Sequence, residues 1–321
     1  MKKKILGILV LLLLITTSCT QQTNLTKTRE LMGTIVSITV VDKDTVKAGN
    51  SIELAFIEIE RINSLMSHYN NQTPVGILNN EGILKNPDTE LINILRQSEY
   101  YSALSNGAFD ITVQPLLELY TTSFQKTGKP PSEKEIKNIL NLVNYQNIII
   151  EETSISFDKT GMKITLGGIA KGYAVDKAIE ILKANNIESA LINAGGDIRT
   201  IGNKGKEDWS IALRNPRDDQ DYITIINLNN KAVATSGDYE RYFVDKTQHH
   251  IINPKTGKSA LGIISVTILT DKAVDADALA TSVFVLGANK GLALIESLSG
   301  VEGLLITENK EIIKSKGFEP N

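Results

Sequence analysis

The sequence predicts a mixed α+β fold in which largely antiparallel sheets pack against helices. Several stretches have helical periodicity, and most β-type runs are short and follow one another closely, which favours antiparallel pairing. No internal repeat and no linker rich in Pro, Ser or Gly divides the body of the chain. We therefore expect the 321-residue chain to form one large domain, or two closely packed subdomains, over about residues 30–315.

The first thirty residues have the pattern of an export signal. Lys2-Lys3-Lys4 precede an apolar run over residues 5–15, which is too short to span a bilayer comfortably and is typical of a secretory signal. Cys19 is the only cysteine, and Thr16-Thr17-Ser18-Cys19 resembles a bacterial lipobox, in which the cysteine is lipidated. Since the rest of the chain has no cysteine, neither a disulfide nor a thiol nucleophile is expected in the folded part.

We expect residues 1–18 to be a signal peptide and residues 19–29 to be a lipidated, flexible tether. The protein is then exported and anchored by a lipid on Cys19 to the outer side of a bacterial membrane. A chance cysteine beside an ordinary cleavage site is the alternative.

Periodicity and turn residues give an ordered set of predicted elements. Ser132-x-x-Glu135, for example, is a capping box that opens a short helix. In chain order we expect a strand over residues 30–41, helices over 45–66 and 89–105, the short helix after Ser132, β runs at 147–151, 155–158 and 162–166, a helix over 169–185, strands at 190–193, 209–214, 223–235 and 263–269, helices at 275–286 and 288–298, and two terminal strands.

The segment around Gly167-Gly168 is predicted to be a strand-to-helix corner. Glycine lets the backbone approach a ligand closely, and the N–H groups that open a helix form a partly positive anion site. Lys171 adds a mobile positive charge beside it. The segment lacks the P-loop pattern G-x-x-x-x-G-K-[ST]. A tight turn with a solvated lysine remains an alternative for this segment alone.

Four motifs, in this order along the chain, resemble those of the ApbE family of FAD:protein FMN transferases. The motifs are Gly-Gly-Ile-Ala-Lys-Gly-Tyr-Ala-Val-Asp at 167–176, Asn-Ala-Gly-Gly-Asp at 193–197, His-Ile-Ile-Asn-Pro at 250–254 and Asp-Ala-Leu-Ala-Thr at 277–281. The resemblance covers about residues 30–315. It implies Mg²⁺-dependent transfer of the FMN part of FAD to a Ser or Thr hydroxyl of another exported protein, with release of AMP.

The acceptor motif associated with this family is D-x-x-[ST]-G-A-[ST]. It is absent from this chain, so we expect the acceptor to be a separate protein.

The resemblance also implies which residues contact FAD. They are Met32, Tyr69, Ala108, Phe109, Asp110, Thr165, Lys171, His250 and Ile252. Without the resemblance, Met32 is an apolar strand residue and Tyr69 is a partly buried loop tyrosine.

Asp277 and Thr281 are candidate metal ligands. They lie four residues apart in a predicted helix, so their oxygens share one face and can reach one cation. Together with the backbone carbonyl of Gly168, phosphate oxygens and water, this set of hard ligands describes a Mg²⁺ site. Asp275, two residues before Asp277, is expected to point to another side of the helix and is the weaker candidate for a ligand. The alternative is that Asp277 is solvated and that Thr281 bonds its own helix.

His250 is the candidate general base, because a neutral imidazole can accept a hydroxyl proton. His68, His249 and His250 are the only histidines, and His250 matches the family residue directly before Ile-Ile. Asn253 stands where the family commonly has aspartate. Two surface histidines in a hairpin are the alternative. We expect Asp197 to be structural, bonding backbone N–H groups of the adjacent glycine turn.

Charge and composition exclude one class of partner. The formal net charge is -3, and the charged residues are scattered, so nucleic acid is not an expected partner. Two other functions remain open: a pyrophosphatase that splits FAD into FMN and AMP, and a non-catalytic, lipid-anchored FAD-binding protein. An ordinary solute-binding lipoprotein would explain the leader but none of the four motifs.

Overall fold

The computed structural model describes residues 23–319, with Asp219 described by its backbone alone. The strands are β1 Thr23–Leu31, β2 Thr34–Asp42, β3 Ile83–Lys85, β4 Ile148–Ile150, β5 Ser154–Phe157, β6 Ala190–Ala194, β7 Asp197–Ile201, β8 Trp209–Asn215, β9 Asp218–Leu228, β10 Ala232–Gly237, β11 Ile252–Asn253, β12 Lys258–Ser259, β13 Ile263–Thr270, β14 Glu302–Thr307 and β15 Ile312–Lys314. The helices are α1 Thr45–Met66, α2 Pro74–Glu81, α3 Thr89–Leu104, α4 Gln114–Thr127, α5 Glu133–Leu140, α6 Ala170–Ala184, α7 Ala273–Leu286 and α8 Ala288–Glu296.

One large antiparallel sheet organises the domain. Its strand order is β1-β2-β6-β7-β10-β13-β14-β15. Helices α1, α6 and α7 share the main hydrophobic core with this sheet, and the β8–β9 hairpin contributes to a second core. A smaller antiparallel sheet, β3-β5-β4, lies beside α2 and α3. The predicted mixed α+β fold with antiparallel sheets is therefore confirmed.

Helix α1 shows how the sequence directs this packing. Ile52, Phe56 and Ile59 recur on one face and are completely buried. At its N-terminus the Asp44 side chain accepts hydrogen bonds from Val46 N and Lys47 N. The predicted helix over residues 45–66 thus begins and ends where α1 does.

The predicted strand over residues 30–41 is instead a hairpin. Strand β1 starts at Thr23, so residues 23–29, which we expected in a flexible tether, form an edge strand paired with β2. The turn consists of Met32 and Gly33, with φ of 53° and 70°. The alternation of polar and apolar residues continues across such a two-residue turn with positive φ. Periodicity alone therefore did not reveal the turn.

A similar break divides the predicted strand over residues 223–235. Asn230 has a φ of 54°, and the chain turns there from β9 into β10. Asparagine tolerates this left-handed conformation better than most residues, so the turn follows from its short polar side chain.

The predicted strand at residues 162–166 does not join a sheet. Its backbone bonds elsewhere: Asn79 bonds both the N–H and the C=O of Ile164, and Thr165 N donates to Ile111 O. A side chain therefore takes the place of a neighbouring strand, and the Gly167 corner is fixed by α2 rather than by a sheet.

The predicted signal peptide at residues 1–18 and Cys19 lie outside the described residues. Within residues 23–319, no helix has the length and apolar character needed to cross a membrane.

Candidate active site

A cleft of about 920 Å³ lies where the β1–β2 and β6–β7 turns meet the N-terminal ends of α6 and α7. All twelve residues that the sequence predicted for FAD, metal or catalysis line it. They come from segments that are far apart in the sequence: Met32, Tyr69, Ala108, Phe109, Asp110, Thr165, Gly168, Lys171, His250, Ile252, Asp277 and Thr281. The fold therefore brings the predicted residues to one place.

Asp110 holds the shape of the segment that carries Ala108 and Phe109. Its Oδ1 accepts hydrogen bonds from Thr112 N (2.8 Å) and Thr112 Oγ1 (2.6 Å), and its Oδ2 accepts one from Tyr145 N (3.0 Å). Burial raises the pKa of this carboxyl, although these bonds oppose the change. Both oxygens thus have protein partners, and Asp110 positions the loop on which its neighbours face the cleft.

The mouth of the cleft carries an exposed aromatic ring. Tyr69 is 77% exposed, its ring lies 4.0 Å from that of His68, and Arg241 Nη1 donates to its hydroxyl at 3.4 Å. Met32, at the β1–β2 turn, has a positive φ that is uncommon outside glycine and asparagine. Tyr69 therefore offers a ring face that a planar ligand can stack against.

Lys171 is held by carboxylates and is not the mobile charge that we expected. Its Nζ forms an ion pair with Asp197 and lies 3.9 Å from Asp277 Oδ1. Asp197 was expected to bond its local glycine turn, but Asn193 Oδ1 does so by accepting from Gly196 N at 2.9 Å. The partner expected for Asp197 was therefore wrong: this buried carboxylate holds the Lys171 ammonium instead of the glycine turn.

Two buried carboxyls, Asp197 and Asp277, share one positive charge. The two residues are 1% and 4% exposed, and Lys171 is the ammonium placed between them. Burial raises the pKa of both carboxyls; the nearby Asp277 charge raises that of Asp197 further, while Lys171 lowers both. A buried carboxylate that lacks full compensation is costly, so the environment of Asp277 favours a cation.

Asp277 also contacts the N-terminus of α6. Its Oδ2 accepts a hydrogen bond from Gly172 N at 3.1 Å. The first turn of α6, which we expected to bind an anion of the ligand, thus already has a carboxylate beside it. Asp275 points elsewhere, as expected, and accepts a 2.6 Å hydrogen bond from the Tyr101 hydroxyl.

Thr281 and Gly168 pack directly against each other. A Cβ atom at Gly168 would lie 3.0 Å from Thr281 Oγ1 and 3.3 Å from Phe109 Cε2, so only glycine fits without displacing them. Ser236 Oγ lies 3.3 Å from Thr281 Oγ1. The predicted metal ligands therefore converge in the cleft.

Residues 23–319 contain no cluster of three or more His, Cys, Asp or Glu side chains that could hold a metal ion. The predicted set is of another kind, with one carboxylate, one hydroxyl and one backbone carbonyl. Oxygen donors of this mixture suit Mg²⁺, which keeps several water or phosphate oxygens as ligands. The donor chemistry and the presence of two buried carboxyls beside a single ammonium both fit such an ion.

His250 presents one unprotonated nitrogen. Its Nδ1 lies 2.8 Å from Arg241 O, and because a carbonyl only accepts, Nδ1 carries the proton and Nε2 keeps its lone pair. Burial lowers the pKa of His250 to about 4, and the nearby charges of Arg241 and Lys171 also lower it. The imidazole is therefore neutral at physiological pH and can accept a proton at Nε2.

His249 has a different environment. It is 1% exposed, its Nε2 donates to Ala260 O at 2.8 Å, and its Nδ1 accepts from Ile251 N at 3.2 Å. Both ring nitrogens are used within the fold. Asn253 Oδ1 accepts from Lys255 N at 2.9 Å, so this side chain stabilises a turn, a role that asparagine performs as well as aspartate.

Gln114, Ser236 and Arg241 also line the cleft and were not among the predicted residues. Gln114 directly precedes Pro115 at the start of α4, and Pro at the first helical positions is a helix signal that the sequence did contain. Ser236 and Arg241 lie in a polar stretch without periodicity, and no local pattern marked them.

Comparisons with known proteins show which family this chain resembles. The ApbE family model matches residues 32–305. An FAD:protein FMN transferase from Klebsiella pneumoniae is 33% identical over 70% of this chain and 71% of its own length, and one from Vibrio cholerae is 29% identical over 90% of each chain. The crystal structure of the ApbE protein from Thermotoga maritima has a TM-score of 0.83 and 35% identity, and covers 92% of this chain and 97% of its own.

The flavin transferase ApbE from Vibrio cholerae has a TM-score of 0.80 and 28% identity, over 93% of this chain and 98% of its own. The family match spans most of the chain and includes every residue placed in the cleft above. The chain belongs to the ApbE family.

Proposed function

We propose that this enzyme transfers the FMN part of FAD to a Ser or Thr hydroxyl of an exported acceptor protein. The observation that carries the proposal is that the neutral His250 lines the same cleft as Asp277, Thr281 and Gly168. A proton acceptor thus lies in the same cavity as a group of oxygen ligands suited to a phosphate-bound cation. The relatives named above are called FAD:protein FMN transferases.

The proposed step is a displacement at the flavin-side phosphorus of FAD. The acceptor oxygen forms a bond to that phosphorus, the bond to the bridging pyrophosphate oxygen breaks, and AMP leaves with that oxygen. The proton of the acceptor hydroxyl passes to His250 Nε2. Since Nδ1 remains bonded to Arg241 O, the ring keeps one orientation throughout.

Asp277, Thr281 and the Gly168 carbonyl are the proposed ligands of one Mg²⁺. When bound, this ion would neutralise charge on the pyrophosphate oxygens. Lys171 is close enough to Asp277 to take part in the same charge balance, while Asp197 holds its ammonium.

The test is incubation of the full chain with FAD, Mg²⁺ and a purified exported protein that contains the motif D-x-x-[ST]-G-A-[ST]. Intact-mass analysis should show addition of FMN to the acceptor, with one AMP released for each FMN added. FMN release at the same rate without an acceptor would instead identify a pyrophosphatase. Bound FAD with neither product would identify a non-catalytic carrier. EDTA should stop the reaction, and Mg²⁺ should restore it.

We also propose that a lipid on Cys19 anchors the enzyme outside the cytoplasm. The support is Lys2-Lys3-Lys4, the short apolar run and the lipobox-like position of Cys19. Strand β1 begins at Thr23, so only three residues separate Cys19 from the folded domain. Cys19→Ser should release the protein from the membrane fraction, and unchanged membrane retention would contradict the anchor.

A further inference from the structure

Gln114 carries an acceptor oxygen without a partner. In the part of the chain that the structure describes, Gln114 Oε1 is the one buried side-chain nitrogen or oxygen that makes no hydrogen bond. The residue is 7% exposed and lines the cleft. An unpaired buried acceptor costs free energy, so such an atom calls for an explanation beyond the fold.

The neighbours of Gln114 determine which way its amide faces. Nε2 donates to Glu118 Oε1 at 3.2 Å, and Glu118 Oε2 pairs with Lys163 Nζ at 2.6 Å. A carboxylate held by a lysine only accepts hydrogen bonds, so exchange of the amide oxygen and nitrogen would place two acceptors together. The orientation is therefore fixed: Oε1 is the unpaired acceptor, and Nε2 keeps one N–H besides the one bonded to Glu118.

We propose that Gln114 Oε1 accepts a hydrogen bond from the N3–H of the isoalloxazine ring and thereby selects for the flavin. This inference rests on the proposed function, since it takes FAD as the substrate. Gln114 directly follows the short 3₁₀ turn Ile111–Val113, which Asp110 begins, and thus continues the segment expected to contact the flavin.

Contacts link Gln114 to Tyr69, whose exposed ring face a planar ligand can stack against. Glu118, which accepts from Gln114, acts electrostatically on His68, and the His68 and Tyr69 rings lie 4.0 Å apart. Lys171 and Asp277, the groups suited to phosphate and metal, are on α6 and α7 instead. The unpaired acceptor is therefore connected to the part of the cleft that carries Tyr69.

The flavin ring offers a donor that matches the unpaired oxygen. Its N3–H lies between two carbonyl groups, so Oε1 can accept from N3–H while the second N–H of Nε2 faces a neighbouring carbonyl. The adenine edge presents an amino donor beside the acceptor N1, and the test therefore includes a compound modified at that amino group.

The test measures binding without turnover, with flavin fluorescence and calorimetry in EDTA and without acceptor. Three ligands are compared: FAD, FAD methylated at flavin N3, and FAD dimethylated at adenine N6. The unmodified full chain should bind the N3-methyl compound about ten- to a hundredfold more weakly than FAD, because the methyl group removes the donor and leaves Oε1 unpaired.

The variant Gln114→Leu removes the acceptor. Its preference for FAD over the N3-methyl compound should fall to within about twofold. Gln125→Leu is the matched control, because it makes the same substitution on the exposed side of α4; it should retain the full preference. In the ligand-free protein, Gln114→Leu removes the hydrogen bond to Glu118 but also removes an unpaired buried oxygen. Its melting temperature should therefore fall by no more than the loss of that one hydrogen bond would cause.

Three results would overturn the proposal. The first is equal binding of FAD and the N3-methyl compound by the unmodified chain. The second is a Gln114→Leu variant that still prefers FAD to the N3-methyl compound as strongly as the unmodified chain does. The third is a Gln114→Leu variant that loses only the preference for FAD over the adenine-modified compound. Tight FAD binding with any of these results would leave the proposed function standing. Failure of the unmodified chain to bind FAD even after Mg²⁺ is added would overturn both.

Discussion

Asp176 and Asp277 each cap the N-terminus of the other's helix. Asp176, on α6, accepts hydrogen bonds from Ala273 N (2.9 Å) and Val274 N (3.0 Å) at the start of α7, and Asp277, on α7, accepts one from Gly172 N at the start of α6. Neither helix has a side-chain cap of its own. A carboxylate near a helix N-terminus is stabilising, so this exchange fixes the two helices in one register and sets where Asp277 lies.

Gly172 permits the close approach of these helices. A Cβ atom there would lie 2.2 Å from Ala273 O, so Gly172→Ala must push α6 and α7 apart. We expect a loss of about 1–3 kcal/mol in the free energy of unfolding, measured by urea denaturation, together with weaker Mg²⁺ binding.

Gly49→Ala is the control for this substitution. Gly49 also lies in a helix, but its added Cβ would come no closer than 3.7 Å to the Leu25 side chain. Its stability should be unchanged or raised by up to about 1 kcal/mol, because alanine is the better helix former. Equal destabilisation of both variants would show that the helix contact is not the cause.

The metal ligands can be tested by thermal denaturation with and without Mg²⁺. Asp277→Asn keeps the shape of the side chain and removes its charge, so we expect Mg²⁺ affinity to fall by about 100-fold or more and transfer to stop. Thr281→Val removes only a hydroxyl ligand and should cost about tenfold. If Mg²⁺ raised the melting temperature of Asp277→Asn as much as that of the unmodified protein, the ion would bind elsewhere.

Local patterns predicted the elements whose signals lie within one segment. Helix α1 repeats apolar residues at helical spacing, and α5 begins at the capping box of Ser132 and Glu135, which both form their expected bonds. The family motifs also predicted that Gly168, Asp277 and Thr281 belong to one site, although Gly168 lies far from the other two in the chain. Such motifs carry information about distant contacts that periodicity does not.

Two of the errors came from contacts between segments. Asn79 replaces a neighbouring strand at Ile164, and Lys171 pairs with Asp197 of another segment, so neither arrangement leaves a signal near its own residues. Gln114 was missed for a related reason, because its unpaired oxygen becomes evident only when all its neighbours are known. Charge balance and hydrogen-bond satisfaction are properties of the folded chain.

The two adjacent histidines should differ in what their removal affects. His250→Ala removes the free Nε2 from the cleft, so we expect FMN transfer to slow by about 10²–10⁴-fold while FAD binding stays within about threefold. His249→Ala leaves Ala260 O and Ile251 N without a side-chain partner and should lower the free energy of unfolding by about 1–3 kcal/mol. A stable His249→Ala protein with the larger loss of transfer would reverse these assignments.

The stabilisation by Mg²⁺ should depend on pH in a direction set by Asp197 and Asp277. Burial raises the pKa of both carboxyls, so the folded, metal-free protein binds more protons than the unfolded chain from about pH 4 up to the raised pKa values, and its stability falls as the pH rises through this window. Mg²⁺ binds the ionised carboxylate and competes with these protons. The rise in melting temperature caused by Mg²⁺ should therefore be larger at about pH 8 than at about pH 5.

His250 does not explain such a difference, because its pKa of about 4 keeps the ring neutral at both pH values. Asp277→Asn serves as the control and should show no Mg²⁺-dependent rise at either pH, since it lacks the charge for which protons and metal compete. The measurement is differential scanning fluorimetry of the full chain at matched ionic strength, with Ca²⁺ and Na⁺ as comparison ions. An equal rise at both pH values in the unmodified protein would contradict metal binding at Asp277.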